Sequence, residues 1–213
     1  MRKFITKDGS TSFYSEKVKE YYHTKEGAKE EAFEKHALAL NIGSVKHPVI
    51  FDICFGVGYS TAAALDVVKE ATVYCFENDL EILKKVLEID EDFKHYPMIK
   101  EFVRRYIENN QTTYEKENIK LVMVFGDARE EIKKIKEKAD FVFFAPFSPA
   151  KAPDMWTKEF FEDIYKKMNV NGKLSTYSYA RQVRENLKNA GFEIKDGPIL
   201  KRRSPSLIAT KFN

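Results

Sequence analysis

A chain of 213 residues with 43% hydrophobic and 32% charged side chains suits one well-solvated α/β domain. No apolar run reaches the ~20 residues of a membrane span, and no apolar core follows Met1-Arg2-Lys3-Phe4 as it would in a signal peptide, so a cytoplasmic location is expected. A net charge of +3 is compatible with a nucleic-acid partner without requiring one, and the two cysteines and four scattered histidines show no zinc spacing, so no metal is expected.

In chain order, residues 1–46 read as an N-terminal extension. Asp8-Gly9 marks a turn, Thr11 to Ser15 a hairpin strand, and Glu26 to Leu40 a helix with Ala28, Ala32, Phe33, Ala37 and Leu40 on one broad face. Residues 47–213 then alternate strand and helix. Strands are expected from Val49 to Phe55, Thr72 to Glu77, Lys120 to Phe125, Asp140 to Phe144 and Lys173 to Tyr179. Between them the pattern predicts helices over 60–70, 80–89, 97–110, 158–168 and 182–189. Asn171-Gly172 is read as the stop of the 158–168 helix. Phe192 to Lys195 and Ser206 to Phe212 read as an antiparallel closing pair. Such alternation predicts a Rossmann-like, mostly parallel seven-stranded sheet with helices on both faces and the extension packed against it.

Ligand chemistry first shows at Phe51-Asp52-Ile53-Cys54-Phe55-Gly56-Val57-Gly58-Tyr59-Ser60, a strand, a glycine turn and a helix start. Bare backbone at Gly56 and Gly58 lets a ligand lie close. Glu77 ends the next apolar run, about twenty residues on, where a carboxylate grips the ribose of a nucleoside. No frame completes G-x-G-x-x-G, since Thr61 stands third when counting from Gly56, and there is no G-K-S/T, so a pyrophosphate cradle and a P-loop are disfavoured. S-adenosylmethionine, which has no phosphate, remains. A third strand ending in Gly126-Asp127-Ala128 supports it, because nucleoside-dependent methyltransferases place an adenine-binding acid there; the competing reading makes Asp127 the cap of the next helix. Asp52, Cys54, Gly56, Gly58, Glu77, Asp127 and Ala128 are therefore the candidate cofactor residues, with Phe147 as a stacking surface.

The most specific text is Ala145-Pro146-Phe147-Ser148-Pro149-Ala150-Lys151-Ala152-Pro153-Asp154-Met155-Trp156-Thr157. It resembles the D-x-F-S/A-P-x-K-x-P-E-M/L-W-T segment of the MnmC family, the methyltransferase domain that completes 5-methylaminomethyluridine at the tRNA wobble position. Asp8-Gly9-Ser10-Thr11, Tyr22-His23-Thr24-Lys25-Glu26-Gly27-Ala28, Gly56-Val57-Gly58-Tyr59 and Gly126-Asp127-Ala128-Arg129 are similar to further segments of that family. The resemblance implies a class I methyltransferase that moves the methyl of S-adenosylmethionine to the primary amine of 5-aminomethyluridine at position 34. It implies the stand-alone form without the flavin-dependent oxidase domain, tRNA as partner, and a further enzyme that supplies the aminomethyl precursor. Lys151, Arg181, Lys201, Arg202 and Arg203 are the candidate RNA contacts.

Two departures stand out. Cys54 replaces a family glycine, and Ala145 replaces the strand-end Asp that positions the amine. Asp154 is the candidate substitute acid; a helix cap is its competing role, and Glu30 is a second candidate. An aminopropyltransferase and a non-catalytic binding module stay open as alternatives. Trp156 reads as a loop anchor, with stacking on adenine or uracil as its competing role, Tyr177 and Tyr179 as neighbours on one strand face, and His23 as a surface or packing residue that would face the active site if the extension folds over it.

Overall fold

The computed structural model describes residues 1–201 and 204–212. Its main sheet forms because apolar stretches rich in β-branched and aromatic residues follow one another at crossover spacing. In chain order its first strands are β4 (Val49–Ile53), β5 (Ala71–Glu77), β6 (Thr113–Lys116) and β7 (Ile119–Phe125). They are followed by β8 (Ala139–Phe144), β9 (Met168–Thr176), β10 (Glu193–Asp196) and β11 (Leu207–Thr210). Across the sheet the order is β10-β11-β9-β8-β4-β5-β7-β6. The five central strands are parallel, while β6 and the β10–β11 pair run antiparallel at the edges. Among the described residues the sheet has eight strands rather than seven; the additional one is β6, which folds back on β7 at the edge.

The chain runs outward from β4 to β5 and β7, then crosses back to place β8 and β9 on the other side of β4. The strand order reverses between β4 and β8, and in open α/β sheets ligands bind beyond the strand carboxyl ends at that point. Alternate side chains of β4 divide the core. Ile50 faces a layer that includes α2 (Tyr59–Val67), α3 (Leu80–Val86) and α4 (Tyr96–Asn109), whereas Phe51 and Ile53 face α5 (Ala128–Lys134), α6 (Lys158–Lys166) and α7 (Arg181–Asn189). Each layer buries the apolar stripe of its helices against one sheet face. Among the described residues no helix is long and apolar enough to cross a membrane.

The extension makes a three-stranded antiparallel meander of β1 (Arg2–Ile5), β2 (Thr11–Ser15) and β3 (Glu20–Tyr21). A short helix, α1 (Ala28–Glu31), widens into a π-helical stretch over Ala32–Leu38. The expected 26–40 helix is therefore two geometries in series. Ala28, Ala32, Ala37 and Leu40 are buried as the apolar face requires. Asn171-Gly172 does not stop a helix but lies within β9, where the pairing with β8 shifts register and Asn171 takes φ +64°. That is the geometry of a bulge.

Candidate active site

A cavity of about 600 Å³ opens beyond the carboxyl ends of β4, β5, β7 and β8, within the usual range for a small-molecule site. Cys54, Gly56, Glu77, Gly126, Ala128 and Ala145 form its sheet side. Glu20, Tyr22, His23, Glu31 and His36 of the extension line it too.

The floor is organised by Glu77. Its Oε2 accepts from the Gly56 amide at 2.8 Å, and its Oε1 accepts from the amides of Asn78 and Asp79 at 2.8 and 2.9 Å. Three backbone donors thus aim a carboxylate that lines the cavity, and Oε2 retains accepting capacity for a ligand hydroxyl. Burial raises the Glu77 pKa against the opposing pull of those amides. Gly56 has φ +59°, and a Cβ there would project to 3.7 Å from the Tyr22 ring, inside the cavity wall. Gly58 serves packing instead. With φ +79°, its missing Cβ would lie 2.6 Å from Phe55 Cζ and 2.8 Å from Ile99 Cγ2.

Cys54 has φ +68°, a left-handed conformation that costs a residue with a Cβ. The chain keeps the backbone path of a glycine turn and holds it under strain. Burial, with the neighbouring Glu77 charge, pushes the Cys54 thiol pKa well up, so it stays protonated.

The loop after β8 closes the far side. Trp156 is buried and its Nε1 donates to the Phe147 carbonyl at 2.8 Å, which fixes Phe147 edge-on to Tyr22 at 4.9 Å. Trp156 anchors the loop, as its sequence context suggested. Tyr177 lies past the end of β9, and its hydroxyl donates to the Pro146 carbonyl at 2.8 Å. Tyr179 also lies past β9, its hydroxyl on Asp196 Oδ1 at 3.0 Å. Neither tyrosine is a strand residue, and Tyr177 lines the cavity.

A family described as S-adenosyl-L-methionine-dependent methyltransferase matches residues 90–212. The chain belongs to that family. Its cofactor is accordingly S-adenosyl-L-methionine, and its fold is that of the class I enzymes. This methyltransferase is similar to the crystal structure of MnmC2 from Aquifex aeolicus, with 28% identity and a TM-score of 0.79 over 98% of this chain and 69% of that one. An uncharacterized protein of Methanocaldococcus jannaschii is 34% identical over 97% of this chain and 58% of its own length. The tRNA 5-methylaminomethyl-2-thiouridine biosynthesis bifunctional protein MnmC of Campylobacter hominis is 40% identical over 38% of this chain and 12% of its own. The methyltransferase thus spans less than two thirds of the length of these two curated relatives.

The sequence candidates separate in space. Cys54, Gly56, Glu77, Ala128 and Phe147 line the cavity. Asp52 sits below it, buried against the Thr61 hydroxyl at 2.6 Å. Asp127 caps α5 through the Arg129 amide at 3.0 Å and holds the Arg129 guanidinium, which keeps its carboxyl below the usual range. Asp154 lies in a 3-10 turn with its side chain 75% exposed, 3.4 Å from Arg129, and outside the cavity lining. Glu30 pairs with Lys201 at 2.7 Å, also away from the cavity. Lys151 is exposed, Arg181 pairs with Glu185 at 2.7 Å, and Arg202 and Arg203 fall outside the described residues.

The extension brings His23 to the cavity lining and adds His36, which sequence reasoning passed over. His23 shares a hydrogen bond of 2.9 Å with the Ser12 hydroxyl and stacks on Tyr59. His36 shares one of 2.7 Å with the Ser175 hydroxyl. Burial first, then the Lys35 charge, lowers their pKa values to about 4 and about 3, so both rings are neutral near pH 7. The available signal was polar residues at helical spacing within an alanine-rich face: Glu31, Lys35 and His36 follow Ala28 and Ala32 by three, seven and four positions.

Proposed function

We propose that the methyltransferase moves the methyl of S-adenosylmethionine to the primary amine of 5-aminomethyluridine at the tRNA wobble position. The observation that carries this reading is the Phe147 to Trp156 segment. It carries the most specific text of the resemblance to MnmC, and its Phe147, Ala152 and Met155 line the cavity. In this reading Glu77 takes a ribose hydroxyl on Oε2. The turn from Cys54 to Gly56 passes the methionine tail, and Ala128, beside Asp127, meets adenine. Phe147 offers its ring to the acceptor base. Lys17 and Lys25 line the cavity from the extension, and Lys151 is exposed on the loop that closes it. Such cations suit an acceptor carried on a phosphate backbone.

The reaction is a displacement at a sulfonium methyl. The chain's contribution is to hold amine nitrogen, methyl carbon and sulfur in line and to keep the amine unprotonated. The test incubates the chain with tRNA bearing 5-aminomethyluridine and labelled S-adenosylmethionine, then reads nucleoside mass after digestion. One added methyl on the modified uridine is expected. Cofactor binding without any methyl incorporation would refute the assignment.

A further inference from the structure

Ala145 lines the cavity at the end of β8, its amide tied to the Ile53 carbonyl at 3.2 Å, and it brings no ionisable group to that corner. Methyl transfer to an ammonium needs a group that removes a proton. Four carboxylates line the cavity: Glu20, Glu31, Glu77 and Asp79. Glu77 is engaged with three backbone amides, as described above. Asp79 caps α3 through the Glu81 amide at 2.9 Å and receives the Tyr22 hydroxyl at 3.4 Å. Glu20 accepts from the Ser148 amide at 2.9 Å. Glu31 differs. Among the described residues its backbone contact is a long one from the Thr24 amide, at 3.5 Å, and it pairs with the ammonium of Lys35 one helical turn on.

That ion pair is almost sealed from solvent, with 2% of the Lys35 side chain and 14% of the Glu31 side chain exposed. Lys35 Nζ stands 5.5 Å from the centre of the Tyr177 ring, and Tyr177 in turn holds the Pro146 carbonyl, one residue past Ala145. His36, the next residue, bonds Ser175, which pairs across the sheet with Phe143. The π-helical stretch therefore brings Lys35 and His36 beside β8 and β9, with Glu31 at its N-terminal edge as the last residue of α1, and such stretches recur at functional sites. A sealed ion pair is a poor source of stability, because the desolvation of two charges offsets their attraction.

We propose that Glu31 is the catalytic carboxylate of methyl transfer, held by Lys35 at the end of β8 that Ala145 leaves without an acid. The inference rests on the methylation of an amine proposed above. Glu31 takes one proton from the substrate ammonium. The freed nitrogen lone pair forms the N–C bond as the C–S bond breaks, and that bonding pair passes to sulfur, leaving a neutral thioether. The product is a secondary ammonium, and the proton on Glu31 leaves to water, so one proton is released per methyl transferred.

Three variants of the full chain test this with the aminomethyluridine tRNA: Glu31→Gln, Glu31→Gln with Lys35→Met, and Glu31→Gln with Ala145→Asp. The second removes both charges, so that the fold survives if a lone buried lysine would undo it. Glu31→Gln is expected to lower kcat by about 100-fold or more, the scale of a lost general base, with cofactor affinity by calorimetry changed less than about threefold. The double charge-removal variant should be equally slow while circular dichroism stays that of the parent. Ala145→Asp should recover about tenfold or more of the loss by returning a carboxylate to the same corner. A Glu31→Gln enzyme as fast as the parent would overturn the inference and leave the methyltransferase assignment standing. A loss that Ala145→Asp does not recover, accompanied by weaker cofactor binding, would make Glu31 part of the fold and also overturn it. An inactive parent enzyme would sink the functional assignment first.

Discussion

Asp52 offers the most quantitative check on how the floor of the site is built. Its carboxyl is 1% exposed on β4, and it is hydrogen-bonded by Thr61, through the hydroxyl at 2.6 Å and through the backbone amide. Burial, opposed by those hydrogen bonds and assisted by the Glu77 charge, pushes its pKa from 3.8 up to about 7. The folded state therefore binds a proton that the unfolded chain releases, and stability falls as pH rises from about 4 to about 7. A rise of roughly three units at about 1.4 kcal/mol per unit sets the loss at no more than ~4 kcal/mol. His23 and His36 act in the opposite sense. Their folded pKa values, about 4 and about 3, lie below the unfolded 6.5, so their contribution is present above that value and is lost as pH falls. The parent curve thus mixes opposing slopes, and Asp52→Asn separates them. Asparagine resembles the protonated acid and cannot ionise, so the variant should gain on the parent as pH rises, by about 3–4 kcal/mol between about pH 4 and about pH 8. Urea unfolding followed by tryptophan fluorescence at several pH values measures the difference. A variant-minus-parent difference that stays flat across that range would show that Asp52 is ionised and stabilised in some other way.

Gly58→Ala should cost about 2–3 kcal/mol in the same assay, because the new Cβ meets Phe55 and Ile99 well inside contact distance at φ +79°. Cys54→Gly should gain about 1 kcal/mol by relieving the left-handed strain, and an unchanged or lower urea midpoint would argue that the thiol's packing outweighs it. Glu77→Gln should weaken S-adenosylmethionine about tenfold or more in calorimetry, since a hydrogen bond to a charged acceptor contributes about 1.5–3 kcal/mol and the amide cannot serve all three backbone donors.

The parallel core and the meeting of Gly56 and Glu77 at the strand ends were legible in the sequence because both follow from local signals: apolar runs, glycine turns and an acid at the end of a run. β6 was not. Of its four residues only Tyr114 is buried, and Glu117, rather than a glycine or asparagine, takes φ +54° in the turn that joins it to β7. An edge hairpin with a polar strand and no turn signature leaves nothing for pattern reading to find. Asn171-Gly172 misled for the converse reason: a strong turn signal occupies a bulge in β9. Within the site, Glu77 and Gly56 could be placed by spacing, whereas Glu31, Lys35 and His36 acquire meaning only when the extension is laid against β8 and β9. Their partners, Ser175 and Tyr177, lie about 140 positions away, beyond the reach of any local pattern.

The two halves of the site are held by different means, and this bears on what each does. The sheet half is set by parallel strands and by the backbone amides that grip Glu77. The extension braces itself through Asp8, whose carboxylate accepts from the Ser10 and Glu30 amides at 3.1 and 3.0 Å and from the Ser10 and Thr6 hydroxyls, which bring its pKa down to about 2 despite partial burial. It meets the sheet half at separate points: the Tyr59 hydroxyl on the Thr11 carbonyl at 2.7 Å, Glu20 on the Ser148 amide, and Tyr22 on Phe147. Activity is decided by the site grafted onto a fold rather than by the fold itself. Here the graft is largely residues 17–36, which bring two lysines, two neutral histidines and the Glu31–Lys35 pair to the cavity or its edge. On the function proposed above, acceptor choice is to be sought in the extension and cofactor choice in the strand ends.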